Sequence, residues 1–199
     1  MMKKLYPKAV LFFLAVAFAV SCAPKRQVQR IETDQSIDLS GRWNDTDSRT
    51  VSEEMIKQLL HDKWIENYSV TNPDKKPILI VGLVKNKSHE HIDANTFIRD
   101  IEKAIVNDGS ARLVQAGDKR EALRNERVDQ QSFSSSETAK NWGLELGADF
   151  MLQGTISSIV DTYKKEKIIY YQINFELSDL ETNEIVWIGE KKIKKYVKN

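Results

Sequence analysis

The chain has 199 residues, 30 basic and 29 acidic side chains, a formal net charge of +1 and a single cysteine, Cys22. This length accommodates one domain with a substantial core but not two large ones. The balanced charge argues against a general nucleic-acid-binding protein, which would carry an excess of basic residues. One cysteine excludes intrachain disulfides and multi-cysteine metal sites.

The first 22 residues have the pattern of a bacterial lipoprotein signal. Lys3 and Lys4 precede an apolar run at residues 9–20, and Ser21-Cys22 follows it. A helix of this run rises only about 18 Å, too short for a hydrocarbon core of roughly 30 Å. Residues 19–22 resemble a lipobox, so we predict a cleaved signal peptide at 1–21 and lipid attachment at Cys22. The alternative is an ordinary signal peptide with an incidental cysteine.

The next segment is polar and lacks hydrophobic periodicity, which predicts a flexible tether over residues 22–38. Fully extended, residues 23–40 span at most about 60 Å. The 30 basic residues include Lys3, Lys4 and Lys8, so 27 remain against 29 acidic ones after removal of the signal. We predict a single globular domain over residues 39–199.

The residues after a turn-rich segment at 41–48 have apolar side chains at the spacing of an amphipathic helix. The apolar positions of the first predicted helix are Val51, Met55, Leu59 and Leu60. Thr50 and Glu53 have the spacing of a capping box, with Asp47 or Ser48 as alternative caps. Asn72-Pro73 marks the end of this helical region.

The middle of the chain predicts alternating strands and helices. The strands are expected at residues 77–84, a continuous apolar run, and at 111–114. The helices are expected at 94–107, stopped by Gly109, at 118–128, capped by Asp118 and Glu121, and at 136–146. Residues 130–135 are predicted to be a polar loop.

Three strands are predicted near the C-terminus, at residues 150–160, 168–177 and 184–190. In the second of them, Tyr171, Ile173, Phe175 and Leu177 alternate and share one face. Short turns between these strands indicate an antiparallel meander. The fold class is therefore α/β, with a mixed four- to five-stranded sheet, flanking helices and a C-terminal meander.

No pattern of catalytic or metal-ligating residues stands out. Residues 45–47 lack the further ligands, turn glycine and distal glutamate of a calcium loop, and helix capping explains them better. His89 and His91 flank a loop without a third ligand, so a solvated loop is favoured over a metal site. Ser134-Ser135-Ser136 lacks a nucleophile-elbow pattern. We predict no catalytic residue, metal, cofactor or small-molecule substrate.

Several segments resemble the LpoB-type penicillin-binding-protein activators. They are residues 39–48, with Trp-Asn-Asp-Thr-Asp-Ser as the most specific part, residues 77–82, residues 147–156, and the late run Glu-Thr-Asn-Glu-Ile-Val-Trp. The resemblance covers roughly residues 39–196. Residues 147–156 are also similar to the N-terminal domain of TolB and to the secretion lipoprotein CsgG.

The resemblance implies an outer-membrane lipoprotein, facing the periplasm, that binds a class A penicillin-binding protein and stimulates peptidoglycan synthesis without catalysing it. It also implies a domain like the N-terminal domain of TolB. The predicted tether at 22–38 is shorter than the long tethers of family members known for this role. The alternative is a CsgG-like outer-membrane secretion lipoprotein, which needs two amphipathic membrane hairpins that the chain does not offer.

A partner-binding surface is predicted on the hairpin of the meander, at Tyr163, Tyr170, Lys164 and Lys165. Tyr171 shares the apolar face and is expected in the core, whereas Tyr163 and Tyr170 have the opposite parity or lie at the turn. Exposed tyrosines beside charges are typical interface residues. The alternative is an ordinary hairpin tip. The lysine-rich residues 191–198 are expected on a solvated strand edge, with contact to anionic lipid or polymer as the alternative.

Overall fold

A computed structural model describes residues 27–135 and 144–198. The chain divides into two units, residues 1–35 and 36–199. The predicted signal peptide and Cys22 lie outside the described residues. In the first unit, the described residues contain a turn at Thr33 and Asp34 and no helix or strand.

The second unit is built around a five-stranded mixed sheet of order β2-β1-β3-β4-β5. The strands are β1 (Ile78–Lys87), β2 (Arg112–Val114), β3 (Phe150–Tyr163), β4 (Glu166–Asp179) and β5 (Ile185–Lys198). The first three strands run parallel, and β3, β4 and β5 form an antiparallel meander. The predicted α/β class, mixed sheet and meander are confirmed.

Among the described residues, four helices accompany the sheet: α1 (Asp45–Leu60), α2 (Lys63–Thr71), α3 (Asn95–Asp108) and α4 (Gly117–Phe133). Helix α3 connects the parallel strands β1 and β2, as a crossover between two parallel strands requires. Gly109 closes α3 with a φ of 72°, a left-handed conformation that glycine adopts without steric cost. The predicted stop at Gly109 is therefore confirmed.

Helix α1 starts earlier than predicted. Asn44 is its N-cap, and the capping box pairs the Asn44 side chain with the Asp47 amide at 3.1 Å and the Asp47 carboxylate with the Asn44 amide at 2.9 Å. The predicted box between Thr50 and Glu53 is wrong, because Thr50 already lies inside the helix and donates its hydroxyl to the Thr46 carbonyl. An asparagine satisfies the first free amides before the threonine is reached.

The long helical region before Asn72 consists of two helices. Helix α1 ends at Leu60, and Asp62 caps α2 by accepting a hydrogen bond from the Lys63 amide. The buried Trp64 indole donates to the Leu59 carbonyl at 2.7 Å, which satisfies one carbonyl freed at the end of α1. The same ring packs edge-on against Phe150 at the start of β3.

The region around α4 differs most from the prediction. Helix α4 continues to Phe133, so most of the predicted loop at 130–135 is helical, and Ala116 precedes the helix without a side-chain cap from Asp118. Of the helix predicted at 136–146, residues 136–143 lie outside the described residues, and residues 144–146 are irregular. No residue of α4 is buried. The sequence of α4 therefore has no marked apolar face from which the length of the helix could be predicted.

The core lies between one face of the sheet and helices α1, α2 and α3. Its largest fully buried side chains include those of Tyr171, Phe97, Phe175, Met55, Leu59 and Leu79. Strands β3, β4 and β5 are each 14 residues long, and β3 pairs with β4 without interruption from Phe150–Asp179 to Tyr163–Glu166. The three strands are longer than predicted because their distal halves are polar, whereas the backbone pairing continues.

Candidate partner-binding surface

The meander has one covered face and one open face. Alternation places Ile169, Tyr171 and Ile173 of β4 in the core, so Ile168 and Tyr170 lie on the opposite face. We call this opposite face of β3, β4 and β5 the open face. Helices α1, α2 and α3 contribute their buried side chains to the core on the covered side.

Aromatic and aliphatic side chains cluster on the open face toward the β3–β4 turn. The strand register places Tyr170 between Ile159 of β3 and Lys194 of β5, and the next row places Ile168 beside Tyr196. The exposed fractions of Ile159, Tyr163 and Tyr196 are 67%, 69% and 60%, whereas Tyr170 is half-buried. These side chains form an apolar patch accessible to a partner.

Three of the four predicted site residues meet at the β3–β4 turn. Tyr163 ends β3, and Lys164 and Lys165 form the turn, with Lys164 at a φ of 53°. The Lys164 ammonium lies 5.1 Å from the centroid of the Tyr163 ring, within range of a cation–π interaction. The fourth residue, Tyr170, lies four positions along β4 from Glu166, on the same face as Tyr163.

Sequence reasoning missed Ile159 and Tyr196 as members of this patch. Tyr196 lies in β5, among the lysine-rich residues 191–198, and faces the same way as Lys194. Alternation counted from the buried Trp187 through residues 189, 191 and 193 indicates its orientation, because odd positions of β5 face the core.

The buried Lys195 of β5 holds the segment that leads into α1 against the sheet. The Lys195 ammonium lies 2.6 Å from Asp47 and 2.9 Å from Asp38, donates to the Arg42 carbonyl at 2.9 Å, and is 8% exposed. Burial lowers the pKa of Lys195, but the hydrogen bonds to Asp47 and Asp38 outweigh it and hold that pKa above its ordinary value. A Cβ at Gly41 would clash with the Val197 side chain, which shows how closely this segment approaches β5.

A second, partly buried network is centred on Glu90. Its carboxylate accepts hydrogen bonds from the Tyr171 hydroxyl at 2.9 Å and the Trp43 amide at 3.0 Å, and lies 3.1 Å from the His89 ring. Burial and the bond to Glu90 raise the pKa of Tyr171. Trp43 packs edge-on against Tyr171 and donates its indole N–H to Ser48, so the predicted loop residue Trp43 is part of the core packing.

The same network contains a serine, a histidine and a glutamate in hydrogen-bond reach. The Ser158 hydroxyl lies 2.7 Å from His89 Nδ1, and His89 Nε2 faces Glu90. The Ser158 oxygen also accepts a hydrogen bond from the His89 backbone amide at 3.0 Å, and Glu90 is already bound by Tyr171 and Trp43. These bonds make the group a tie between the loop after β1 and strand β3.

A polar cleft of about 550 Å³ lies at the end of the sheet opposite the β3–β4 turn. Its floor includes Asp149, which accepts bonds from the Tyr68 hydroxyl at 3.1 Å and the Ile78 amide at 2.8 Å. Asp149 therefore ties α2 and β1 to the start of β3. This role gives residues 147–156, singled out in the sequence, a structural explanation.

The candidate metal ligands lie apart. Asp45 and Asp47 belong to the first turn of α1, and His89 and His91 are exposed. In the part of the chain that the structure describes, no group of three histidine, cysteine or acidic residues could hold a metal ion. Within residues 27–135 and 144–198, no helix is both long and apolar enough to cross a membrane.

Comparisons with known proteins place the chain in a family. The model of the peptidoglycan-synthase activator LpoB matches residues 47–193, and no curated protein matches. Among solved structures, the LpoB C-terminal domain from Escherichia coli is 18% identical, covers 75% of this chain and 99% of its own, and has a TM-score of 0.43. The lipoprotein GNA1162 from Neisseria meningitidis is 15% identical and has a TM-score of 0.35. That match covers 60% of this chain and 83% of GNA1162. Because the family model spans most of the chain, this protein belongs to the LpoB family of peptidoglycan-synthase activators.

Proposed function

We propose that this protein binds a class A penicillin-binding protein and activates its peptidoglycan synthesis without catalysing any step itself. The observation that carries the proposal is the match to the peptidoglycan-synthase activator family over residues 47–193, which includes most of α1, the core and most of the meander. The family role also supports attachment to the outer membrane, for which Cys22 supplies the acylated residue.

We place the synthase-binding surface on the open face, at Tyr163, Tyr170, Lys164 and Lys165. Large exposed aromatic side chains surrounded by charges have the composition of binding hot spots. Tyr163 and its neighbours Ile159 and Tyr196 contribute apolar area that the fold itself leaves in solvent. Burial of that area against a partner supplies the favourable free energy, and the lysines favour an acidic partner surface.

Activation follows from differential binding. An activator shifts a synthase only if it binds the active conformation more tightly than the inactive one. A lipid anchor at Cys22 and a flexible segment at 22–38 keep the folded unit near the membrane, which raises its effective concentration toward a partner within reach.

The test uses the unlipidated mature chain, residues 22–199 with Cys22→Ser, and the purified class A synthase of the same organism. Glycan polymerisation and peptide cross-linking are measured from the lipid-linked precursor with and without the activator. We expect both rates to rise, with an unrelated periplasmic protein as control. A synthase whose rates and binding signal stay unchanged over a full titration would contradict the proposal.

The lipid anchor is tested separately in cells. The full chain and its Cys22→Ser variant are expressed, and membranes are fractionated on a density gradient. We expect the parent chain in the outer-membrane fraction and the variant in the soluble or unprocessed fraction, because two or more acyl chains give stable attachment. Outer-membrane fractionation of the variant would exclude Cys22 as the anchor.

A further inference from the structure

The chain enters the globular unit at the same end of the sheet as the β3–β4 turn. Lys195 holds Asp38 and Arg42, and Gly41 lies against Val197 near the end of β5. The register pairs Lys198 with Glu166, the first residue after the turn. The segment that leads back to Cys22 therefore leaves the fold beside the turn.

This end of the sheet is basic. We define the basic end as the β3–β4 turn with the neighbouring ends of β4 and β5; its lysines are Lys164, Lys165, Lys167, Lys194 and Lys198, against the carboxylates Asp161 and Glu166. Lys195 is not counted because Asp38 and Asp47 neutralise it. The opposite end, where β4 ends and β5 begins, is mixed: it carries Asp179, Glu181 and Glu184, and Lys75 and Lys76 precede β1 there. The basic end therefore has an excess of positive charge that the opposite end lacks.

Two exposed tyrosines accompany these lysines. Tyr163 and Tyr196 lie on the open face near the turn, and both rings are mostly in solvent. Tyrosine combines an apolar ring with a polar tip, which suits the boundary between headgroups and acyl chains. Lysines beside such rings add attraction to anionic lipid, so the basic end has the composition of a membrane-surface site.

We propose that the basic end binds the anionic phospholipid surface of the leaflet that holds the lipid anchor, an inference that rests on the proposed acylation of Cys22. Extended chain from Cys22 to Asp38 spans at most about 55 Å, so the folded unit stays close to that leaflet. Because the chain enters the unit beside the turn, a short tether presents the basic end toward the membrane.

This binding gives the activator a resting state. Tyr163, Lys164 and Lys165 also belong to the proposed synthase-binding surface, so the leaflet and the synthase compete for them. A synthase within reach must displace the lipid, and the fraction of free activator then depends on the relative strengths of the two interactions.

The test measures binding of the 22–199 chain with Cys22→Ser to sedimented vesicles. One set is phosphatidylcholine alone, and the other contains about one third phosphatidylglycerol as the anionic lipid. We expect binding to the anionic vesicles only, weakened by added salt. The triple variant Lys164→Gln, Lys165→Gln and Lys198→Gln should bind the anionic vesicles at least about tenfold less tightly.

A matched control removes three exposed lysines elsewhere, by Lys75→Gln, Lys76→Gln and Lys103→Gln. Lys75 and Lys76 precede β1 at the opposite end of the sheet, and Lys103 lies on α3. We expect this variant to bind the anionic vesicles like the parent. Equal losses in the two triple variants, or no binding by the parent, would overturn the proposal.

The same samples are assayed for synthase stimulation in detergent solution without vesicles. If the parent chain stimulates the synthase but binds no anionic vesicle, the membrane proposal is overturned and the activator function stands. Retention on purified peptidoglycan that depends on Lys164, Lys165 and Lys198, in the absence of vesicle binding, assigns the basic end to that polymer and likewise overturns the proposal. Circular dichroism confirms that each variant remains folded.

Discussion

The two faces of the β3–β5 meander are formed by the same strands but differ in burial: one face packs into the core, and the other is open to solvent. Tyr171 is fully buried, packs edge-on against Trp43 and donates its hydroxyl to Glu90. Its neighbour Tyr170 turns to the open face, between Ile159 and Lys194. The residue type is the same, and strand parity alone decides whether the side chain holds the fold together or remains available to a partner.

This difference separates stability from binding. Side chains on the covered face lose their contacts with α1 and α3 when truncated, whereas side chains on the open face lose little that the folded state has gained. Substitutions on the covered face should therefore lower the free energy of unfolding, and substitutions on the open face should lower affinity for the synthase.

The largest effect is expected from Phe175→Ala. Phe175 is almost fully buried and packs edge-on against Phe97, so removal of its ring leaves a cavity and costs about 4 kcal/mol of unfolding free energy. Ile159→Ala, on the open face, is the control and should cost less than about 1 kcal/mol. Urea unfolding followed by circular dichroism measures both, and equal losses would show that the open face is covered in solution.

The next largest effect is expected from Lys195→Met. This change leaves Asp47 buried without its cation and removes the tie to Asp38, so it should cost about 3 kcal/mol. The control, Lys194→Met, changes the adjacent lysine on the open face and should have little effect. Adding Asp47→Asn to Lys195→Met should restore part of the loss, because the buried charge is then removed. Similar stabilities for both methionine variants would refute the burial of Lys195.

Substitutions on the open face should mainly change the affinity for the synthase. Tyr170→Ala and Tyr163→Ala are each expected to weaken synthase binding by about 2 kcal/mol, roughly thirtyfold, as for interface hot spots. Val106→Ala, an exposed apolar side chain on α3, is the control. Biolayer interferometry on folded variants gives the affinities. Unchanged affinity in both tyrosine variants would move the docking surface away from the meander.

The sequence predicted which side of β4 each tyrosine occupies, because a strict two-residue alternation has only one solution when one face is buried. It failed for Lys195, since a lysine in a lysine-rich run is expected in solvent. Its partners, Asp38 and Asp47, lie about 150 residues earlier, and only the fold brings them to β5. The lengths of β3, β4 and β5 were also underestimated, because the backbone pairing of these strands continues through segments whose side chains are mostly polar.

The Glu90 network could not be predicted from the sequence either. Ser158 and His89 are 69 residues apart and meet because β1 and β3 are parallel neighbours. The break between α1 and α2 depends on the Trp64 indole reaching the Leu59 carbonyl. By contrast, Tyr163, Lys164 and Lys165 needed only a local turn, which short-range patterns describe well.

The smallest effect is expected from Tyr171→Phe, and its size should depend on pH. Loss of the hydroxyl removes one hydrogen bond to Glu90 and should cost about 1 kcal/mol at pH 8. Burial and Glu90 raise the pKa of Tyr171, so its stabilising contribution is complete below the unfolded pKa of about 10 and is lost as the pH rises further. The parent should therefore lose stability above about pH 10 by an ionisation that the variant lacks, so the difference between the two proteins should be smaller at pH 11 than at pH 8.

Urea unfolding of the parent and of Tyr171→Phe at both pH values tests this on the covered face. The contribution of Lys195 is lost in the same alkaline direction, because its pKa is also raised, but it is present in both proteins and cancels in the difference. Tyr163→Phe on the open face, with its ring mostly in solvent, is the matched control and should change stability little. A difference between parent and Tyr171→Phe that stays constant from pH 8 to pH 11 would mean that the phenol ionises equally in the folded and unfolded chains, and that the hydroxyl is not held against Glu90.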